Sequence, residues 1–149
     1  FLLRSADSQL DFDIDLAKRQ SFDNPVYYVQ YAHARCCSIL RQAKEKGIDL
    51  RELDNANLKL LTDEKEKDIL NLLMRYPEKL EDIARTFEIQ LLPYYLIDLS
   101  KALHTFYDSC RVLSEDKELT LARLSLVDCV RLIINDGLSI LGVSAPEKM

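Results

Sequence analysis

The scarcity of residues that reverse the chain direction is the feature that most restricts the fold. Only 3 of the 149 residues are glycine and 4 are proline. A β-rich domain of this length needs many tight turns, and these residues form most of them. The content of 48% hydrophobic and 30% charged residues is typical of chains that fold into a globule. We therefore expect an all-α fold whose core needs no disulfide or metal for stability.

Capping residues and prolines divide the chain into helices. Asn24 is a favourable N-cap and Pro25 suits a first helical turn, whereas Gly47 favours a helix end. Pro77 and Pro93 predict two further helix starts. The expected helices span about residues 25–46, 62–75, 77–88, 93–110 and 119–141. Together they predict an antiparallel bundle of about five helices, preceded by a short extended segment at residues 10–16, where apolar and acidic residues alternate.

Helical spacing also assigns residues to the core. Phe87 in the third helix and Cys129 in the fifth are expected to face inward. The four cysteines form neither a C-x-x-C motif nor spaced pairs, so we expect reduced, buried thiols. No apolar stretch is long enough to cross a membrane and no export signal opens the sequence, so we expect a cytoplasmic protein without a membrane partner. The absence of a starting methionine suggests a fragment of a longer chain.

The sequence lacks the motifs of a catalytic or cofactor site. It has no glycine-rich phosphate loop and no H-E-x-x-H, and His33 and His104 have no carboxylate or cysteine at a ligand-like spacing. We expect no catalysis, metal or cofactor in this segment by itself. The net charge of -5 also excludes binding to nucleic acid by bulk attraction. Residues 24–46 are the exception, with four basic residues and one acidic residue.

The first helix carries a candidate surface for RNA. Asn24, Tyr28, Tyr31, Arg35 and Gln42 are spaced so that they share one side of the helix, beside the core stripe. Aromatic rings and guanidinium groups stack on unpaired bases, and amides address base edges. On pattern alone, tyrosines that bury their rings against a neighbouring helix explain this flank as well or better.

A second candidate lies at the end of the fourth helix. There Tyr107 and Arg111 place an aromatic ring and a cation at a helix terminus. A core tyrosine, with Arg111 paired to Asp108 or Glu115, accounts for the pattern at least as well.

Four phrases of this sequence resemble the anticodon-binding domain of arginyl-tRNA synthetases. NPVYYVQYAHAR at residues 24–35 is similar to the motif that opens its first long helix, and GVSAPEKM at residues 142–149 is similar to its C-terminus. Two further pairs of phrases also resemble the family. They are FLLRSADS with LDFD, at residues 1–8 and 10–13, and FY with CRV, at residues 106–107 and 110–112. The Asp-Ala-Leu-Arg signature of this domain type is absent in that form, as are the class I catalytic motifs.

The resemblance implies a role in protein synthesis. The parent enzyme would be an arginine–tRNA ligase of class I, and its ATP site would lie outside this segment. Residues 1–20 would end the connection to the catalytic domain, and residues 21–149 would receive the anticodon stem-loop of tRNA(Arg). Because all arginine codons have a central G, the central C of the anticodon is a sensible determinant. By family analogy Tyr107 and Met149 form a hydrophobic platform, flanked by Tyr28, Tyr31, Arg35, Asn24 and Arg111.

Two other functions remain open from the sequence. The related anticodon-binding domain of the glycyl-tRNA synthetase β subunit has the same domain type, and a helical protein-interaction module would suit the acidic charge. The tyrosine-rich phrase and the C-terminal tail favour the arginyl class. We expect a monomer that binds RNA and no DNA.

Overall fold

Five α-helices form the described part of the chain. The computed structural model describes residues 14, 15, 21 and 23–149. The helices are α1 (Pro25–Glu45), α2 (Glu64–Met74), α3 (Tyr76–Thr86), α4 (Leu91–Ser109) and α5 (Lys117–Ile140). Two short 3-10 helices, Leu50–Asn55 and Leu58–Leu60, lie between α1 and α2. These residues contain no strand, and the expected all-α bundle is confirmed.

The extended segment predicted at residues 10–16 lies outside the described residues, apart from Ile14 and Asp15. These two residues are helical. Seven alternating residues are too few for periodicity alone to distinguish extended chain from a helical turn.

The helix ends follow the capping signals of the sequence. The Asn24 side chain accepts a hydrogen bond from the amide of Val26 at 3.1 Å, which caps α1. Gly47 and Gly142 follow α1 and α5 with φ of 81° and 69°, a left-handed conformation that glycine adopts at little cost. The sharp end of α5 at Gly142 turns the C-terminal tail, residues 143–149, back onto the bundle.

The helices pack around the α4–α5 pair. Both α1 and α2 contact α4 and α5, and α3 lies outside against α4 and α2. The α1 and α5 helices are antiparallel: Gln30 near the start of α1 bonds Ser144 after α5, whereas Glu52 beyond α1 pairs with Lys117 at the start of α5. Residues 46–63 therefore cross one end of the bundle between α1 and α2.

The core is built from the predicted helical stripes. The α1 stripe is buried as expected, and α4 contributes five large side chains that are almost fully buried. They are Leu92, Leu96, Leu99, Leu103 and Phe106.

No helix in the described ranges is both long and apolar enough to pass through a bilayer.

Three predictions at the level of single residues are wrong. Phe87 is 88% exposed, because the chain leaves α3 at Thr86 and Phe87 adopts a left-handed conformation with φ 61°. Cys129 is exposed on α5, so only Cys36 and Cys110 are fully buried thiols. The α4 helix begins at Leu91, since a proline is tolerated throughout a first turn and does not mark its first residue.

Candidate RNA-binding surface

The tyrosines of α1 meet a histidine of α4. The ring centroid of His104 lies 5.2 Å from that of Tyr28 and 5.8 Å from that of Tyr31. Both tyrosines are partly buried. This flank of α1 therefore packs against a neighbouring helix, as the alternative of tyrosines packed between helices predicts, and part of each ring stays exposed. His104 is not among the residues predicted to bind RNA. The available signal was its position one helical turn before Tyr107 on α4.

Arg35 joins the two predicted clusters. Its Nη1 donates to the Tyr31 hydroxyl at 3.1 Å, and its Cζ lies 4.2 Å from the ring centroid of Tyr107. The Tyr31 centroid is 5.8 Å away, so the guanidinium lies near rings from two helices. Such cation–π contacts contribute about 0.5–2 kcal/mol each and hold the planar group in a defined orientation. We call Tyr28, Tyr31, Arg35, His104 and Tyr107 the aromatic cluster.

Two nitrogen atoms in the aromatic cluster are buried and have no hydrogen-bond partner among the residues that the structure describes. They are Nε of Arg35 and Nε2 of His104. An unsatisfied buried polar atom costs about 1–3 kcal/mol, and such groups are rare in folded proteins. The cluster therefore has unused hydrogen-bonding capacity at its centre.

Burial shapes the electrostatics of the cluster. Burial lowers the pKa of His104 below its ordinary value, the charge of Arg35 lowers it further, and Asp108 opposes both effects. The imidazole is therefore neutral at pH 7 and has one donor and one acceptor nitrogen. Burial also raises the pKa of the Tyr28 hydroxyl, against a smaller opposite effect of Lys101. The permanent positive charge inside the cluster is that of Arg35.

An open cleft adjoins the cluster. It has a volume of about 440 Å³ and lies between the end of α1 and residues 107–113. Its lining combines apolar, amide and cationic groups. The lining residues are Ile39, Gln42, Lys46, Tyr107, Asp108, Ser109, Cys110, Arg111, Val112 and Leu113. Tyr107 belongs to both the cleft and the aromatic cluster.

Arg111 is exposed at the mouth of the cleft. In the part of the chain that the structure describes, it forms no ion pair with Asp108 or Glu115. Its backbone carbonyl accepts a hydrogen bond from Nη1 of Arg123 at 2.9 Å. Arg123 also pairs with the buried carboxylate of Glu66 at 2.7 Å, which ties the loop after α4 to α2 and α5.

Asn24 and Met149 lie outside the aromatic cluster. Asn24 is 8% exposed and its side chain is used as the cap of α1. Met149 is 50% exposed at the end of the C-terminal tail. That tail contacts Gln30, His33 and Arg41, which lie about 120–160° around α1 from Arg35 at about 100° per residue. Among the described residues, no group of histidine, cysteine and acidic side chains could hold a metal ion.

A model of the DALR anticodon binding domain family matches residues 29–149. The chain belongs to this family. It is 50% identical to an arginine–tRNA ligase of Symbiobacterium thermophilum, and the match covers 100% of this chain and 27% of that protein. An arginine–tRNA ligase of Geotalea uraniireducens is 51% identical, with the same two coverages. This DALR domain chain thus spans about a quarter of the length of the curated relatives it matches.

A solved structure shows the same fold. The Thermus thermophilus arginyl-tRNA synthetase superposes with a TM-score of 0.78 at 32% identity, and covers 95% of this chain and 24% of that one. These relatives favour the arginyl class of DALR domains over the glycyl-tRNA synthetase β subunit.

Proposed function

We propose that residues 21–149 are the anticodon-recognition domain of an arginyl-tRNA synthetase and bind the anticodon stem-loop of tRNA(Arg). Residues 1–20 connect it to the catalytic part of the protein. The whole protein attaches arginine to tRNA with ATP, and that chemistry lies outside the domain. The family match and the arginine–tRNA ligase relatives support this assignment.

One observation carries the proposal: the Arg35 guanidinium lies within 6 Å of the ring centroids of both Tyr31 and Tyr107, beside an open cleft. Proteins read single-stranded RNA loops by stacking unpaired bases on aromatic or guanidinium planes. A stacked base needs a rigid platform, and the contacts between α1 and α4 provide one. The cleft offers space for a base that has left the stack of the loop.

The charge distribution agrees with local recognition. The chain is acidic as a whole, with a net charge of -5. Lys46 and Arg111 nevertheless line the cleft, and Arg35 lies next to it. These cations can contact phosphates around the loop, whereas the acidic remainder disfavours binding to other nucleic acid.

The other predicted residues have supporting roles in this proposal. Tyr28 holds His104 against α1 and extends the aromatic surface. Asn24 fixes the start of the helix that carries the surface. Met149 contributes apolar contact from the C-terminal tail.

The test is a titration of the 149-residue chain, as a monomer, with a tRNA(Arg) anticodon stem-loop at one fixed salt concentration. A stem-loop whose central C is changed to U measures base preference. Tyr107→Ala should weaken binding of the C-containing loop by about 5- to 150-fold, the loss expected for one base stack. Tyr94→Ala is the matched control, because Tyr94 is an exposed tyrosine in the first turn of the same helix.

Equal binding of the two stem-loops, or equal affinity of Tyr107→Ala and Tyr94→Ala, would overturn the proposed site. A helical protein-interaction module predicts the same result together with negligible RNA affinity.

A further inference from the structure

We propose that Arg123, held by the buried carboxylate of Glu66, is a positioning residue for RNA binding. It fixes the backbone of Arg111 and with it the loop that forms one wall of the cleft. The inference rests on the proposed function for its effect on RNA. The attachment of the loop is independent of RNA and is tested separately.

Much of the wall of the cleft is chain that has left α4. The helix ends at Ser109, and Cys110 is extended, with φ -117° and ψ 124°. Residues 110–113 nevertheless supply four of the ten residues that line the cleft. A loop has no backbone ladder of its own and moves more readily than the helices it joins. This wall therefore needs support from outside the loop.

The guanidinium of Arg123 provides that support. Its Nη1 donates to the backbone carbonyl of Arg111 at 2.9 Å, and its Nε donates to Oε1 of Glu66 at 2.7 Å. The two bonds use different nitrogens of one rigid, planar group, so the direction of one bond fixes the direction of the other. The carboxylate is itself held, because Glu66 is 1% exposed and its Oε2 accepts from the amide of Asp63 at 2.9 Å. Arg123 therefore connects the wall of the cleft to the first turn of α2.

The bond to Arg111 restrains a position and does not rescue a buried group. It is an exposed contact, so water can satisfy the Arg111 carbonyl when Arg123 is removed. Other contacts hold other parts of the same loop: Val112 is buried, and the amide of Ser114 donates to Oγ1 of Thr120 at 3.0 Å. Without Arg123 the loop would still close, but Arg111 would lose a contact that fixes its backbone.

A fixed backbone affects binding at this place because Arg111 brings an exposed cation to the cleft. A long, flexible side chain loses conformational entropy when it binds, and this loss lowers affinity. Fixing the backbone before RNA arrives reduces the number of positions that the guanidinium samples. Arg123 would thus increase RNA affinity through Arg111, without a contact to RNA of its own.

The first experiment measures the loop without RNA. The full chain is treated briefly with iodoacetamide, and the alkylation of each cysteine is followed by peptide mass. Cys110 lies in the loop and is 6% exposed, whereas Cys36 lies in the core stripe of α1 and is 0% exposed. Release of the loop exposes Cys110 alone, whereas general unfolding exposes both thiols. Cys36 is therefore a control within the same molecule.

Arg123→Ala should increase the alkylation rate of Cys110 relative to Cys36 by about 10- to 150-fold, the factor of one hydrogen bond to a charged group. Arg123→Lys keeps the charge but not the planar fork, so it should give a smaller increase, and it remains informative if Arg123→Ala folds poorly. An unchanged ratio in every folded Arg123 variant would overturn the attachment.

The charge of Arg123 cannot account for faster alkylation. Burial raises the pKa of the Cys110 thiol, Asp63 raises it further, and the charge of Arg123 opposes both effects. Removing that charge by itself reduces the thiolate fraction and slows alkylation. A faster rate therefore reports exposure of the thiol.

The second experiment measures affinity for the tRNA(Arg) anticodon stem-loop with and without the Arg111 side chain. If Arg123 acts through Arg111, Arg123→Lys weakens binding in the full chain but has little further effect in the Arg111→Ala background. Arg123→Lys should also reduce the salt dependence of binding, by part of the decrease of about one in slope that follows the loss of one phosphate contact.

Arg131→Ala is the matched control. Arg131 also lies on α5 and also donates its Nε to a carboxylate at 2.7 Å, that of Asp128, but it does not line the cleft. It should leave both the affinity and its salt dependence unchanged.

Equal losses from Arg123→Lys in both backgrounds would overturn the positioning role, because a general folding defect weakens binding whether or not Arg111 is present. Faster alkylation of Cys110 with unchanged affinity would overturn the RNA part alone. Equal affinity of Tyr107→Ala and Tyr94→Ala would overturn the proposed function and the RNA part with it, while the alkylation result still decides the attachment of the loop.

Discussion

Replacing Glu66 by alanine should destabilise the bundle more than any other single loss of a carboxylate in the described region. Glu66 is 1% exposed, and its Oε1 accepts from Nε of Arg123 at 2.7 Å. Its Oε2 accepts from the amide of Asp63 at 2.9 Å and completes the capping box of α2. Removing one partner of a buried pair costs about 3–5 kcal/mol. Because the Arg123 side chain retains 14% exposure and can regain water, we expect about 3 kcal/mol.

Urea unfolding followed by circular dichroism measures this loss. With a denaturant slope of about 1–3 kcal/mol per molar, the midpoint should fall by about 1–3 M. Glu64→Ala is the matched control, since Glu64 lies in the same helical turn but is exposed, and the helix dipole contributes only about 0.3–1 kcal/mol there. Glu66→Gln, which keeps an acceptor oxygen, should fall between the two. Equal midpoints for Glu66→Ala and Glu64→Ala would refute the reasoning.

Two further perturbations follow from the structure. Burial and the charge of Arg35 lower the pKa of His104 below 6.5, and Asp108 opposes this shift. The unfolded chain therefore binds a proton at His104 more readily than the folded chain does. The free energy of unfolding should fall as the pH decreases below about 6.5. His104→Gln should therefore make the urea midpoint fall less between about pH 7 and 5 than it does in the unchanged chain. The same fall in both proteins would contradict this assignment. The second change is Gly137→Ala, in which the new Cβ would lie 2.7 Å from Cδ2 of Leu96. This overpacking costs about 1–3 kcal/mol, whereas the higher helix propensity of alanine contributes about 1 kcal/mol, so a net loss of stability is expected. A lower thermal midpoint is expected, and a higher one would show that Leu96 moves aside.

Most of the fold could be predicted because the signals are local. Asn24 and Pro25 mark the start of α1, and Gly47 and Gly142 mark two helix ends, as the capping rules require. The failures occur where a local signal is ambiguous. Phe87 continues the apolar spacing of α3, and only the exit of the chain at Thr86 turns it towards solvent.

The candidate site could be predicted only in part. Spacing alone placed Tyr28, Tyr31 and Arg35 on one flank of α1. The hydrogen bond between Arg35 and Tyr31 confirms that these two are neighbours, and Tyr28 and Tyr31 contact the same ring, that of His104. The insertion of His104 and the position of the Arg35 guanidinium over Tyr107 depend on which helix packs beside α1. That choice is made by tertiary packing over about 70 intervening residues, which periodicity cannot resolve.

The packing of α1 on α5 also has a consequence for the order of folding during synthesis. The apolar stripe of α1 emerges from the ribosome before α5, one of its main partners, is made. At about 5–20 residues per second, α1 stays incompletely covered for several seconds. Chaperone binding or premature association would therefore act on α1, and the proposed RNA-binding surface that it carries would mature only after the later helices are made.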